Sequence, residues 1–363
     1  MLKAATIVAV TILVPGIAST PAAAGTTPSR SPVAATFKPS WWFRQTATTN
    51  RLFTADVVDP SVVWAVGGGD VAGSVVLTAD GGRSWRNITP PGGAAKAFRD
   101  VEATDRDHAV VLAAGSSAQI YRTADAGVTW HVVFEDASPS AYYSCMAFFD
   151  RRRGLAVSDP VDGRIRLAGT EDGGRSWHIL RNVKMPPAID GEELISSGTC
   201  LQAAGTDAWF GTSTPAGVNN RVFTTRDGGR SWSVATTPLP GGDTTGIRSL
   251  SFRDSRHGVA IGSDPRQPSD TTGTAAAISS DGGRTWTLGG ATSGLRTSVS
   301  WLPGQSRTLI AVGRGSDVST DGGQTWRPFD DTTLPGIDCL RGAGCWAVGA
   351  GGLAAKLSYS HSH

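Results

Sequence analysis

Short apolar segments alternate with polar, glycine-rich turns along most of the chain. One stretch shows the pattern clearly, with apolar-rich runs at residues 248–252, 258–262 and 274–279 separated by turn-forming residues. Runs of this length, rich in β-branched and small apolar residues and bounded by Gly, Pro, Asp and Ser, are typical of β-strands joined by tight turns. The pattern therefore predicts an all-β protein.

An eight-residue phrase, Ser/Thr-x-Asp-x-Gly-x-Ser/Thr-Trp, occurs six times, and its aspartates are 45, 47, 55, 54 and 40 residues apart. Strand-rich repeats of this period are typical of a β-propeller, in which each repeat forms one small sheet. The six aspartates are Asp80, Asp125, Asp172, Asp227, Asp281 and Asp321.

The phrase has the chemistry of a folding motif. An aspartate in a tight turn accepts hydrogen bonds from backbone N–H groups one or two residues further on. The glycine supplies a positive φ, and the final Trp buries a large ring between sheets. We therefore expect the six aspartates to be structural, neither catalytic nor metal-binding. The arginines of the phrase are expected on the solvated side of the turns: Arg83, Arg175, Arg230 and Arg284.

The number of sheets follows from the two ends of the chain. Residues 337–357 match the first three strands of a repeat but lack the phrase, while residues 41–45 match the strand that normally follows its Trp. The N-terminal segment should therefore complete the last sheet and close the ring. This predicts a seven-bladed β-propeller of four-stranded antiparallel blades over residues 41–358, with a tail at 359–363. Six blades is the alternative, if residues 337–357 pack as an addition.

The N-terminus has the features of a secretory signal peptide over residues 1–24. Lys3 precedes an apolar run at residues 4–14, and Ala22 to Ala24 provide a small-residue cleavage site before Gly25. The run is too short for a membrane span, so an uncleaved anchor is the weaker alternative. Residues 25–40, rich in Thr, Pro, Ser and Ala, are predicted to be a flexible lead-in. We therefore expect an exported, secreted protein.

Charge and cysteine content narrow the classes of partner. A formal net charge of +2 over 363 residues gives no support for a nucleic-acid partner. We expect a monomer without cofactor or metal.

Four cysteines in an exported chain favour disulfides, with three possible connectivities. Pairing across one hairpin and between neighbouring first strands is preferred: Cys339 with Cys345, and Cys145 with Cys200.

The longest irregular segments occur in the third to fifth repeats. All of them belong to the face opposite the repeated phrase, where the turns between second and third strands and the connections between blades lie. Loops of this length are more often functional than not, although Ser-Asp-Pro also forms ordinary turns. The predicted binding residues are Asp159, Asp162, Asp190, Glu192, Glu193, Asp264 and Arg266.

The repeated phrase resembles the Asp-box, or BNR repeat. Beyond it, the chain resembles exported bacterial propellers of the photosystem II stability/assembly factor-like family, within the wider sialidase-like group. The resemblance covers about residues 41–357 and rests on residues 154–163, 185–187, 197–199, 257–262 and 346–349. It implies a non-catalytic binding or assembly scaffold for a protein or glycan partner.

A glycoside hydrolase is the alternative function, with Asp159, Glu192 and Asp264 as candidate catalytic carboxylates, because such enzymes use paired carboxylates. A true sialidase is disfavoured. Residues 36–44 contain no Arg-Ile-Pro-type motif, and the single late tyrosine, Tyr359, lies in the predicted tail. Whether the protein is an enzyme is thus left open, with binding favoured.

Overall fold

The computed structural model describes residues 36–68, 72–114, 117–195, 199–264, 266 and 275–362. The predicted signal peptide and most of the predicted lead-in lie outside these residues. The described residues form 27 β-strands in seven antiparallel sheets, together with two 3-10 helices, Gly93–Ala95 and Ala350–Gly352. No helix in this part of the chain has the length and hydrophobicity needed to cross a membrane.

The sheets follow the sequence repeats, one blade per repeat. Blade one contains β2 (Leu52–Val57), β3 (Val63–Gly67), β4 (Ser74–Thr78) and β5 (Arg86–Asn87); blade two contains β6 (Ala97–Ala103), β7 (Ala109–Ala114), β8 (Ala118–Thr123) and β9 (His131–Asp136); blade three contains β10 (Tyr143–Phe148), β11 (Gly154–Val161), β12 (Arg164–Thr170) and β13 (His178–Ile179). Blade four contains β14 (Leu201–Ala204), β15 (Asp207–Gly211), β16 (Asn219–Thr225) and β17 (Ser233–Pro240); blade five contains β18 (Gly246–Phe252), β19 (Gly258–Ser263), β20 (Ala275–Ser279) and β21 (Thr287–Ala291). Blade six contains β22 (Arg296–Trp301), β23 (Leu309–Ser319) and β24 (Arg327–Thr333); blade seven contains β25 (Gly336–Leu340), β26 (Gly344–Val348), β27 (Leu353–Ser362) and β1 (Thr36–Gln45).

The seven-bladed propeller predicted from the sequence is confirmed. Blade six shows one local variation, because its second and third strands form the single strand β23. The first half of β23 pairs with β22, from Leu309 opposite Trp301 to Gly313 opposite Arg296, and the second half pairs with β24. Gly315 lies at the change of partner with a φ of 100°, a conformation that favours glycine.

The N-terminal strand closes the ring as predicted. β1 pairs antiparallel with β27, with Trp41 opposite Leu357. The pairing extends beyond the predicted boundaries at both ends, from Thr36 opposite Ser362, so part of the predicted lead-in and of the predicted tail is strand. The rings of Phe37 and Tyr359 contact each other there, with centroids 5.1 Å apart. This aromatic contact gives the extra strand length a packing partner.

Each Asp-box is a closed network of hydrogen bonds. In the first box, Thr78 Oγ1 donates to Asp80 Oδ1 at 2.9 Å and accepts from Gly82 N at 2.9 Å. Ser84 donates from its backbone N to Asp80 Oδ1 at 2.9 Å and from its Oγ to Asp80 Oδ2 at 2.6 Å. The other five boxes repeat this arrangement. The aspartate therefore accepts from the residue four positions on, and the predicted reach of one or two residues is wrong.

The box tryptophans pack against neighbouring blades. Trp85 of blade one meets Trp346 of blade seven edge-to-face, with ring centroids 5.9 Å apart. Trp130 of blade two meets Trp64 of blade one in the same way at 6.4 Å. A Cβ on Gly82 would lie 2.3 Å from the Trp346 ring, so the glycine is required for close approach as well as for its φ of 83°. The box thus joins adjacent blades.

The inner strands are also linked from blade to blade. Both predicted cysteine pairs are at disulfide distance, and the pair Cys145 and Cys200 joins blades three and four with Cα atoms 6.0 Å apart. At the other six junctions a backbone N–H donates to a side-chain oxygen of the preceding blade. The pairs are Val57 to Asp338, Ala103 to Asp56, Met146 to Asp100, Phe252 to Gln202, Val299 to Ser249 and Ile337 to Ser298.

Candidate functional site

Strand direction places the Asp-boxes and the long loops on opposite faces of the propeller. β12 enters from the turn after Val161 and ends at Thr170, where the third box begins. We call the face that contains the six Asp-boxes the box face. The opposite face, which contains the turn between β11 and β12 and the connections between blades, is the loop face. All seven predicted binding residues lie on the loop face.

The connection between β13 and β14 is anchored to two blades. On blade three, Ala188 N donates to Gly163 O at 3.0 Å, and Leu194 N donates to Asp159 Oδ1 at 2.7 Å. On blade four, Glu193 and Ser213 exchange two backbone hydrogen bonds, of 3.0 and 2.8 Å. Residues 188–194 of this connection are therefore fixed to both sheets on the loop face.

Glu192 holds the connection in place. Its carboxylate is buried and forms an ion pair with Arg221 of β16, in which Arg221 Nε donates to Oε1 at 2.9 Å. Thr212 Oγ1 donates to Oε1 at 2.6 Å, and Ile189 N donates to Oε2 at 3.0 Å. Because these donors engage both carboxylate oxygens, Glu192 is a structural anchor and does not present a free carboxylate to a ligand.

An acidic hollow of about 490 Å³ lies between this connection and the β11–β12 turn. Asp159, Asp190 and Glu193 line it, with Glu192 in its wall. Burial raises the pKa of Asp159 to about 6, and the nearby Glu193 charge adds to the shift. Asp190 and Glu193 are exposed. Among the described residues none of these three carboxylates forms an ion pair with a basic side chain, so the hollow has excess negative charge at neutral pH.

The remaining predicted residues do not line the hollow. Asp264 of blade five accepts from Thr244 Oγ1 at 2.6 Å and forms an ion pair with the exposed Arg266 at 3.3 Å. Asp162 is exposed in the β11–β12 turn, with a φ of 54°. Neither Asp264 nor Arg266 belongs to the lining of the hollow. The structure therefore brings Asp159, Asp190, Glu192 and Glu193 together and leaves Asp264 and Arg266 as a separate ion pair on blade five.

A second group of carboxylates faces the propeller axis, and the sequence patterns did not reveal it. Asp56, Asp100, Glu102 and Asp338 lie on the inner strands of blades one, two and seven. Burial raises the pKa of each: Asp100 to about 7, and Asp56 and Glu102 well above the ordinary value, with neighbouring carboxylates adding to the shift. The signal in the sequence that could have revealed this group is the occurrence of acidic residues at inner-strand positions of neighbouring repeats.

A cavity of about 720 Å³ opens beside these axial carboxylates. Within the described residues no group of three or more His, Cys, Asp or Glu side chains is arranged to hold a metal ion.

Comparisons with known proteins agree with this architecture. The family model of the BNR/Asp-box repeat matches residues 317–328, which contain the sixth box. No curated protein matches the sequence. The chain is thus a seven-bladed β-propeller with Asp-box repeats, as the resemblance implied.

Solved structures share the fold at low sequence identity. A structure of YCF48 bound to D1 peptide is 16% identical, with a TM-score of 0.59 over 87% of this chain and 96% of that chain. YCF48 from Cyanidioschyzon merolae is 18% identical, with a TM-score of 0.58 over 87% of this chain and 98% of that chain. The GH74 xyloglucanase from Xanthomonas campestris is 15% identical, with a TM-score of 0.59 over 88% of this chain and 55% of that chain. At these identities the likeness concerns the fold, and it supports the resemblance to photosystem II assembly factor-like propellers at that level.

Proposed function

We propose that this protein is a non-catalytic scaffold that binds a protein partner through the acidic hollow of the loop face. The observation that supports this most directly is the acidic lining formed by Asp159, Asp190 and Glu193, three carboxylates that have no ion pair among the described residues, where residues 188–194 are fixed between blades three and four. A preformed, negatively charged concavity is complementary to a Lys or Arg side chain. The partner segment is therefore basic and unstructured or extended.

The comparison with YCF48 bound to D1 peptide supports a peptide ligand, since a propeller of the same fold binds one. We further propose that the protein acts as a monomer outside the cytoplasm, after cleavage between Ala24 and Gly25. The signal-peptide pattern and the two cysteine pairs support export. A surface glycan remains the alternative ligand.

Fluorescence anisotropy with labelled ten-residue peptides tests the proposal. The probes are one peptide with three lysines among Gly, Ser and Ala, and its isomer with three glutamates. The wild type should bind the basic peptide, and the double variant Asp190→Asn/Glu193→Gln should bind it at least about tenfold more weakly. The matched control is Asp107→Asn/Glu171→Gln, which removes the same charge from the box face. Equal weakening by both double variants, or no binding of the basic peptide, would refute the proposal.

A second candidate function is glycoside cleavage, and the raised pKa of Asp159 favours it because a general acid must be protonated near the working pH. Glu192 and Asp264, the other carboxylates predicted for that reaction, are engaged by Arg221 and by Thr244 with Arg266. Release of reducing sugar from xyloglucan and from aryl-glycosides tests this function. If the wild type releases sugar and Asp159→Asn abolishes this activity, the protein is a glycosidase and the scaffold proposal is wrong.

A further inference from the structure

A cleft of about 280 Å³ lies on the box face between blades two and three. Three arginines line it: Arg122 at the end of β8, Arg151 in the β10–β11 turn and Arg175 in the third Asp-box. Arg122 is half-buried, while Arg151 and Arg175 are exposed at the rim. The cleft therefore brings together arginines from three separate segments, on the face opposite the acidic hollow.

Arg122 occupies a position that is uncharged in the other repeats. The residue immediately before the first Ser or Thr of the box is Leu, Gly, Thr, Ile or Val in the other five boxes, at Leu77, Gly169, Thr224, Ile278 and Val318. The packing of the box thus does not require an arginine here. A half-buried guanidinium at an interblade junction is costly unless an anion accompanies it.

The protein does not supply that anion from the described residues. None of the three arginines forms an ion pair there, although Arg175 donates to the backbone oxygen of Asp172 at 2.7 Å. The junction of blades four and five provides a contrast, because Arg226 forms an ion pair with Asp207 of its own blade. Arg226 thus has its charge compensated at that junction. Among the described residues Arg122 has no such partner, because the ion pair between blades two and three joins Arg166 to Asp136 instead.

Two carboxyl groups also line the cleft, and neither forms an ion pair with one of the three arginines in the described part of the chain. Asp105 accepts from His108 Nδ1 at 3.0 Å and from the backbone N–H groups of Asp107 and His108. Burial and the neighbouring charges of Asp56, Asp100 and Asp338 raise the pKa of Glu102 well above the ordinary value. Because three arginines and two carboxyl groups line the cleft, its formal net charge is positive.

We propose that this cleft is a second binding site, one that takes an oxyanion through Arg122, Arg151 and Arg175. The planar guanidinium fork suits a carboxylate or a phosphate, because two oxygens of either group can accept its parallel N–H donors. The cleft has room for one such group and for a short segment that carries it. The site goes beyond the proposed partner site, because it lies on the other face and selects the opposite charge.

Isothermal titration at low ionic strength tests the site with two probes on the full protein without its signal peptide. Inorganic phosphate represents a free anion, and a capped Gly-Glu-Gly peptide represents a carboxylate on a protein partner. At least one probe should bind with a 1:1 stoichiometry, and Arg122→Gln should weaken that binding at least about tenfold. The probe that binds more tightly identifies the source of the oxyanion.

Arg83→Gln is the matched control, because Arg83 has the position in the first box that Arg175 has in the third. It should leave binding within about twofold of the wild type, whereas Arg175→Gln should weaken it. Circular dichroism melting confirms that each variant is folded. Absence of saturable binding of both probes, or equal weakening by Arg83→Gln and Arg122→Gln, would overturn the proposal. Neither outcome affects the loop-face site, which is tested with a basic peptide.

Discussion

The guanidinium of Arg221 and the carboxylate of Glu192 form a buried ion pair that ties the β13–β14 connection to β16. The two residues are 29 positions apart in the chain. Because Glu192 also accepts from Thr212 and Ile189, its four hydrogen bonds fix the wall of the acidic hollow. The segment that we propose to bind a partner is therefore held in shape before the partner arrives.

Replacing Glu192 by Ala should destabilise the fold. Removal of one partner leaves the Arg221 charge buried without compensation, which costs about 3 kcal/mol in the free energy of unfolding. Equilibrium unfolding in urea measures this. Glu193→Ala, which removes an exposed carboxylate from the neighbouring residue, should change the free energy by less than about 0.5 kcal/mol. A small effect of Glu192→Ala would show that the ion pair is not the anchor.

Binding of a basic peptide in the hollow should weaken as the pH falls through about 6. Burial holds the pKa of Asp159 at about 6, so this carboxylate is charged at pH 7.5 and mostly neutral at pH 5. Loss of one negative charge from the site should lower affinity by roughly threefold to tenfold. Anisotropy titrations at both pH values test this, and Asp159→Asn should bind with little pH dependence over the same range. An unchanged affinity of the wild type would exclude Asp159 from the contact.

The axial carboxylates should make the folded state less stable as the pH rises from about 4 to 8. Their folded pKa values lie above the unfolded ones, so the folded protein binds more protons in this window, and stability falls as they are released. Glu102→Gln removes one of these charges. The substitution should leave Tm unchanged at pH 4 and raise it by roughly 2–5 °C at pH 8. Differential scanning calorimetry provides the measurement, and a rise of equal size at both pH values would contradict the assignment.

The Asp-boxes should have the opposite pH dependence. Although partial burial opposes the shift, hydrogen bonds from Ser176 lower the pKa of Asp172 to about 2. The contribution of this carboxylate to the free energy of unfolding is therefore complete above pH 4 and is lost as the pH falls toward 2. Asp172→Ala should cost about 1–2 kcal/mol at pH 6, from the lost hydrogen bonds. The difference between variant and wild type should shrink at pH 2.5. Asp107→Ala, an exposed aspartate outside the boxes, serves as the comparison in urea unfolding.

Much of the fold could be predicted because its determinants are local. The box residues from Thr78 to Trp85 are close together in the chain, and the spacing of the six boxes indicates one sheet per repeat. The closing strand could be predicted because residues 41–45 resemble a fourth strand. The merging of two strands into β23 could not, since it depends on how Gly315 bends the chain between two partners.

The clustering of the candidate residues on one face was predictable from the sequence, but the contacts that each residue makes were not. Sequence patterns placed Glu192 beside Asp159 on the loop face, yet its carboxylate serves Arg221, a partner that only the folded chain brings near. The cleft around Arg122 was missed for a related reason. Its arginines come from two blades that only the fold brings together. The sequence also gives no sign that the basic residue before the second box is half-buried, because this depends on the register of β8.

The union of β1 with β27 has a consequence for biosynthesis. β1 is synthesised well before its partner β27, and Trp41 donates from Nε1 to Ser316 Oγ, 275 residues further along the chain. Blades one to six contain no strand from blade seven, whereas β1 has no pairing partner until β27 has been synthesised. Native closure is therefore a late event, and a nascent chain released before Leu357 would leave β1 without its partner.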